Sequence, residues 1–377
     1  MFQAAKEFQI GRPQILAGLM LLGFLAQCLW VATHRKFSDL EYRYIASGLS
    51  RQAGQEYRAN SPLTGWVAAA PVHAVRMAKA VAPASMRPAL AIPRPWLIRL
   101  PFVLFGLWLG GALWWVARRL FDNFGGYVAL ALYCSSPAMV MISSNVGPEI
   151  ILAWSSFGLI YTAIGVAHTL YAPPRKWAPR IVILGLAIGF ALSAALWSFT
   201  LVLPAAAFMF YLAPGRRRSV VVVLLGACLV GAMVAAFFYG QAGSMAAGPI
   251  TWLRPQLGQE FLKSLPFMLA DRYPLFAMFL AALAVYGCWP RARYFGNTAP
   301  LITAFVSVLL FALVLAGNIW VATLGLSFAF VFIGGIAADL LETPGRVSLL
   351  AILIATLLFR IVLSIKILAS WIGPNHL

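Results

Sequence analysis

The sequence predicts an all-α, polytopic membrane protein, a transmembrane helical bundle with about eleven spans. Apolar residues make up 62% of the 377-residue chain and charged residues only 10%, a composition that excludes a soluble domain. The mean hydropathy is +0.86, and apolar runs long enough to cross a bilayer recur along the chain. The runs lack the alternation of a membrane β-barrel, so each is predicted to be a helix.

The predicted spans follow one another from the first apolar segment to the last. They lie at 13–33, 97–117, 124–142, 149–170, 180–196, 199–213, 219–239, 273–288, 299–316, 319–338 and 348–370. The first is too long for a cleavable signal peptide, and no small-residue cleavage site follows it, so we expect it to be retained. We interpret residues 1–377 as a single membrane domain.

Two long segments between spans, 34–98 and 240–272, carry most of the polar chemistry outside the predicted bilayer. Apolar and charged residues mix over 39–53 and again over 63–92, which predicts two interfacial helices lying along the membrane. The second long segment mixes aromatic, glycine, proline and basic residues. That mixture suits a lid over a cavity at membrane level or a passive amphipathic cap.

The basic residues of the short loops predict the orientation. With the N-terminus in the cytoplasm, the inner loops are rich in Lys and Arg, whereas the short outer loops near 143–148, 197–198 and 317–318 have none. The long loops 34–98 and 240–272 and the C-terminus then lie outside. The rest of the net charge of +18 lies in or beside these outer loops, where it could meet anionic lipid head groups or a phosphate. Without a soluble basic domain, nucleic acid is not an expected partner.

Three of the chain's ten acidic residues stand at predicted membrane boundaries. Asp39 and Glu41 follow the first span, and Glu149 heads the fourth. We expect these acids to face one another in one active site at the membrane surface. Two simpler interpretations remain open. Asp39 and Glu41 could pair with nearby basic residues in a solvated cluster worth under about 1 kcal/mol per pair, and Glu149 could be a first-turn acid favoured by the helix dipole by about 0.3–1 kcal/mol.

Arg360 is unusual because it lies within the last predicted span. An unpaired charge near mid-membrane costs about 2.5–3.5 kcal/mol or more, so Arg360 should face the bundle interior. It could contact a substrate phosphate or Glu149, or it could form a structural pair with a backbone carbonyl or a water pocket.

The four cysteines fall in predicted spans, and the four histidines show no metal-ligand spacing, so the residues themselves imply no cofactor.

The order of several short motifs resembles the polytopic, lipid-linked-sugar glycosyltransferases of the C superfamily. The nearest branch contains the protein O-mannosyltransferases and the aminoarabinose transferase of lipid A. The motifs are Phe37, Asp39, Tyr42, Tyr44 and Ala46; Tyr57-Arg58; Ser61-Pro62-Leu63; Arg99-Leu100-Pro101; Ala117 through Phe121; Ser136-Pro137; and Pro148-Glu149. The resemblance covers about the first 170 residues.

The resemblance implies a transferase of a prokaryotic plasma (inner) membrane that takes a sugar from a polyprenyl-phosphate donor on the outer face. Asp39 takes the place of the family's catalytic base, and Glu149 that of a second acid, which in some relatives helps to bind a divalent metal. The acceptor would be a lipid, a glycan or a protein. By position and chemistry, the donor phosphate would be bound by basic residues. These candidates are Arg58, Arg99, Arg254, Lys263, Arg272 and Arg360.

The chain departs from the family pattern beside the expected base. Leu40 replaces the usual second acid of the Asp-Glu pair, and Glu41 comes one residue late, as a displaced partner or an interfacial charge. The alternative function is therefore a catalytically silent membrane subunit that keeps this scaffold and docks a partner complex. A transporter is disfavoured because the sequence shows neither an inverted repeat nor a pair of broken helices.

Overall fold

The structure is a computed structural model that describes residues 12–49, 61–81, 94–171, 173, 177–242, 273–314, 323–343 and 346–372. Thirteen α-helices account for most of these residues, and none of them belongs to a β-strand. The helices are α1 (Arg12–His34), α2 (Asp39–Leu49), α3 (Pro62–Val81), α4 (Pro95–Cys134), α5 (Pro137–Ser144), α6 (Pro148–Thr169), α7 (Ala178–Ala194), α8 (Val202–Leu212), α9 (Arg217–Ala242), α10 (Tyr273–Cys288), α11 (Phe295–Val314), α12 (Thr323–Leu341) and α13 (Arg346–Ile372). The predicted all-α fold class is confirmed.

The helices coincide with the apolar runs that the sequence predicts to be spans. Within the described residues, six helices are long and apolar enough to cross a membrane by length and composition. They are Pro13–His34, Pro95–Cys134, Pro148–Thr169, Pro214–Gly240, Leu324–Leu341 and Leu350–Ser370. Shorter apolar helices stand at Ala178–Ala194, Leu196–Leu212 and Leu275–Cys288. The chain is therefore a multi-pass helical membrane protein.

Helix α4 is a hairpin rather than one rod. Its backbone leaves the helical region at Phe121 and at Asp122, whose φ of 61° and ψ of −173° are rare for a residue with a Cβ. The Tyr133 hydroxyl donates a 2.7 Å hydrogen bond to the carbonyl oxygen of Gly106. A straight helix would separate two residues 27 apart by about 40 Å. The chain thus turns back at 121–122, between the predicted spans 97–117 and 124–142.

The predicted span 124–142 is interrupted at Ser135 and Ser136, and α5 continues it with Pro137 in its first turn. Proline is favoured there because its missing N–H would lack a helical partner anyway. Residues 145–147 then connect α5 to α6. This short connection lies at the same end of the bundle as the C-terminus of α1 and the start of α4, because side-chain hydrogen bonds join them.

Helices α2 and α3 coincide with the two predicted interfacial segments and pack directly against each other. A Cβ on Gly48 would overlap the carbonyl oxygen of Gly65, so the two backbones touch at this crossing. A similar contact joins α7 to α9, where a Cβ on Gly185 or Gly189 would overlap Val230 or Val234. Small residues allow such close approach, which supplies the van der Waals contact that holds membrane helices together.

Candidate functional site

The turn between α1 and α2 presents Asp39 at the first position of α2. Ser38, just before it, accepts a 3.3 Å hydrogen bond from the backbone N–H of Glu41. In return, Oε2 of Glu41 accepts a 2.9 Å bond from the backbone N–H of Ser38. This reciprocal arrangement is a capping box, which satisfies two otherwise unpaired donors and fixes where a helix begins.

Glu41 also forms a buried, two-pronged ion pair with Arg99 of α4. Nε of Arg99 donates to Oε1 of Glu41 at 2.9 Å, and Nη2 donates to Oε2 at 2.9 Å. Arg99 is fully buried and Glu41 is 3% exposed, so the pair is shielded from solvent. The parallel fork matches the planar guanidinium to the carboxylate, a geometry that an arginine provides and a lysine does not.

The remaining N–H groups of Arg99 bind the backbone where α1 ends. Nη1 donates to the carbonyl oxygens of Ala32 and Arg35, at 3.0 and 2.7 Å, and Nη2 donates to that of Lys36 at 3.0 Å. The ring of Phe37 lies 4.7 Å from the guanidinium carbon. The last carbonyls of a helix lack partners within the helix, so Arg99 acts as a cap for α1.

These contacts change two expectations from the sequence. Arg99 has five N–H donors, and all five are engaged, so binding a donor phosphate would require part of this network to break. These contacts favour a structural role for Arg99 over the phosphate-binding role that the sequence predicts. Glu41 is not an exposed interfacial charge, because it is 3% exposed and its carboxylate pairs with the buried guanidinium of Arg99.

The connection between α5 and α6 is bonded to the same network. The backbone N–H of Val146 donates to Oε1 of Glu41 at 3.0 Å. Nη1 of Arg35 donates to the side-chain oxygen of Asn145 at 2.8 Å. Burial lowers the pKa of Arg35, and the nearby charge of Arg99 lowers it further, while the carboxylate of Glu41 acts in the opposite sense. The head of α6, which carries Glu149, is thereby held beside the head of α2, which carries Asp39.

The two acids at these helix heads have different surroundings. Asp39 is exposed, and within the described residues its carboxylate makes no side-chain hydrogen bond or ion pair. Glu149 is 8% exposed and lies against Gly147, where a Cβ would overlap its Oε2 atom. Both carboxylates stand in the first turn of a helix, where the helix dipole favours a negative charge.

Of the remaining predicted phosphate-binding residues, the structure describes Arg360. Arg360 stands near the middle of α13 and is 6% exposed, so the prediction that it faces the bundle interior is confirmed. Four more candidates, Arg58, Arg254, Lys263 and Arg272, lie outside the described residues, as does most of the segment 240–272. Among the described residues, no group of three His, Cys, Asp or Glu side chains could hold a metal ion.

A second polar cluster, which the sequence analysis did not identify, lies at the opposite end of the bundle. Asp339 accepts hydrogen bonds from the Tyr294 hydroxyl at 3.1 Å and from the Asn297 side-chain amide at 2.8 Å. Burial raises the pKa of Tyr294, and the carboxylate of Asp339 raises it further. Only the Asp339 carboxylate could have drawn attention in the sequence, because it stands near the end of an apolar helix.

Residues 87–239 match the family described as dolichyl-phosphate-mannose-protein mannosyltransferase, and no curated protein matches the chain. Several solved structures are similar. ArnT from Cupriavidus metallidurans bound to undecaprenyl phosphate has a TM-score of 0.60 at 15% identity, over 86% of this chain and 60% of that one. The Archaeoglobus fulgidus oligosaccharyltransferase in complex with Zn and sulfate has a TM-score of 0.53 at 13% identity, over 93% of this chain and 52% of that one.

The chain thus spans 60% and 52% of the lengths of these two proteins. At such low identity the likeness concerns the fold. It confirms the resemblance that the motif order predicts: the chain has the polytopic fold of the C superfamily of membrane glycosyltransferases.

Proposed function

We propose that this chain, which has the fold of the C-superfamily glycosyltransferases, moves a sugar from a polyprenyl-phosphate donor to an acceptor on the outer face of a prokaryotic plasma membrane. One observation carries the proposal. Asp39, which by the motif order takes the place of the family's base, is exposed at the head of a helix whose start is fixed by a capping box. A general base must be ionised and within hydrogen-bond reach of the group that it deprotonates.

In the proposed reaction, Asp39 removes a proton from the acceptor hydroxyl or amine. The freed electron pair attacks the anomeric carbon, and the bond from that carbon to the phosphate oxygen breaks with inversion. The polyprenyl phosphate leaves with the bonding electrons. Glu149, buried at the adjacent helix head, would orient the acceptor. It is also the acid that would contribute to a divalent metal site if the reaction uses one.

The leaving phosphate needs positive charge nearby. The N–H groups of Arg99 are already bound to Glu41 and to backbone carbonyls. We therefore assign this role to Arg360 and to the other basic candidates from the sequence, Arg58, Arg254, Lys263 and Arg272. The protein whose fold is similar with a TM-score of 0.60 was solved with undecaprenyl phosphate bound, which makes that lipid the natural probe. A lipid, glycan or protein acceptor, and assembly into a larger complex, are all compatible with this scheme.

The test is an Asp39→Asn variant, which keeps the side-chain shape but removes the ionisable carboxylate. We expect loss of sugar transfer from a panel of undecaprenyl-phosphate sugars, with unchanged membrane insertion and thermal stability. Glu342→Gln is the matched control, because Glu342 is an exposed acid at the opposite end of the bundle, where it pairs with Arg291. Full transfer by Asp39→Asn would exclude Asp39 as the base, whereas no transfer by the wild-type chain would favour a silent subunit that docks a partner complex.

A further inference from the structure

We infer that Glu41 and Arg99 are positioning residues, whose buried pair holds the helix that begins with Asp39 against the connection that leads to Glu149. The inference rests on the proposed function, because it concerns how the two acids are placed for that reaction. In this role Glu41 neither binds the substrate nor transfers a proton.

The hydrogen bonding of the pair is complete. Glu41 accepts from Ser38, from two nitrogens of Arg99 and from Val146, which fills the acceptor sites of its two oxygens. All five N–H groups of Arg99 donate hydrogen bonds. With no donor or acceptor site left, neither side chain can serve a substrate while this arrangement holds.

A buried ion pair of this kind is poorly explained by stability alone. The cost of removing two charges from water can exceed their mutual attraction, and apolar replacements of similar volume are often as stable. Such a pair instead fixes the relative orientation of the segments that it joins. Arg99 binds three carbonyl oxygens at the end of α1, Glu41 caps the start of α2, and Val146 attaches the connection before α6.

The links to the two acids are short. Asp39 and Glu41 share the first turn of α2. The hydrogen bonds that hold the Glu41 carboxylate therefore also hold the backbone from which the Asp39 side chain projects. Val146 precedes Glu149 by three residues, with Gly147 and the first residue of α6 between them. A displacement of reacting groups by about 1 Å can cost 100-fold in rate. The Val146 N–H bond to Glu41 is therefore expected to affect turnover far more than donor affinity.

This bond can be removed without changing either charged side chain. Val146→Pro deletes the N–H group, and the preceding residue, Asn145, already has φ −108° and ψ 154°, which is the region that a residue before proline adopts. Val146→Ala trims the same buried side chain but keeps the N–H, so it sets the reference rate. Arg99→Lys is the second variant, because it keeps the charge and loses the fork.

The experiment measures kcat and KM for an undecaprenyl-phosphate sugar, with hydrogen–deuterium exchange of residues 34–41. We expect Val146→Pro to lower kcat by about tenfold or more relative to Val146→Ala, with KM changed less than about threefold, and to speed exchange in this segment. Arg99→Lys should show the same pattern. Equal kcat in the two Val146 variants, or an Arg99→Lys effect confined to KM, would overturn the inference.

The exchange measurement separates this inference from the proposed function. If the wild-type chain transfers no sugar, the proposed function fails, and exchange alone reports whether the Val146 bond holds α2. Equal exchange in Val146→Pro and Val146→Ala would then overturn the positioning role, while faster exchange in the proline variant would support the tether.

Discussion

The carboxylate of Glu149 lies directly against Gly147, so closely that a Cβ on Gly147 would overlap Oε2 of Glu149. Gly147 has φ −163°, an extended conformation that any residue can adopt. The absence of a side chain here is therefore explained by the space that the carboxylate occupies and not by the backbone conformation.

Replacing Gly147 with alanine is expected to displace the Glu149 carboxylate. Because reacting groups tolerate little misplacement, sugar transfer should fall by about tenfold or more while the protein stays folded. Steady-state kinetics of the purified protein check this. Gly158→Ala is the control, since Gly158 lies in α6, the helix that carries Glu149, and a Cβ there would meet nothing within 4 Å. Identical kinetics for the two variants would show that the carboxylate position does not matter.

Gly48→Ala should separate α2 from α3, because the new Cβ would overlap the carbonyl oxygen of Gly65. Overpacking of a close contact costs about 1–3 kcal/mol, so we expect a lower thermal midpoint in detergent. Gly111→Ala provides the comparison, because a Cβ on Gly111 would have no neighbour within 4 Å and alanine favours a helix. A Gly48→Ala midpoint equal to that of Gly111→Ala would contradict the close crossing.

Tyr133→Phe should loosen the α4 hairpin by removing the hydroxyl that binds the Gly106 carbonyl oxygen. Hydrogen bonds between membrane helices contribute about 0.6 kcal/mol on average and at most about 1.7, so the loss of stability should fall in that range. Unfolding in mixed detergent measures it. Tyr171→Phe, at an exposed tyrosine, serves as the reference, and a larger loss in that variant would argue against the hairpin bond.

The raised pKa of Tyr294 predicts a pH effect on stability. The folded protein keeps the phenol protonated where the unfolded chain, with a pKa near 10, releases the proton. The contribution of the Tyr294 phenol to the free energy of unfolding is therefore fully present below about pH 10 and falls as the pH rises above that value. Thermal midpoints from pH 8 to about pH 11 should drop less steeply in Tyr294→Phe than in the wild type. Parallel slopes would exclude this contribution.

The helical architecture could be predicted from the sequence because a membrane constrains each segment separately. A backbone in lipid must satisfy its hydrogen bonds within its own helix, so an apolar run such as 149–170 needs no knowledge of its neighbours to be recognised. The capping box was not predicted, although the signal for it is equally local. Ser38 and Glu41 are three residues apart, a spacing that is typical of a helix start.

The partners of the charged residues could not be predicted in this way. Arg99 and Glu41 are 58 residues apart, and Glu41 and Val146 are 105 apart. The sequence placed all three near one membrane boundary, where a buried ion pair, a phosphate ligand and a lipid contact are equally consistent with an arginine. Helix packing decided between them, because it brought the carboxylate and the carbonyl oxygens of α1 within reach of one guanidinium.

The sequence by itself therefore determined the fold class, the order of the spans and the position of Asp39 at the head of a helix. These follow from hydropathy and from spacings of a few residues. Only the tertiary structure decided that Glu41 and Arg99 bind each other and that the connection before Glu149 is bonded to the same pair. Such contacts depend on distances between segments that are far apart in the chain, and composition carries no information about those distances.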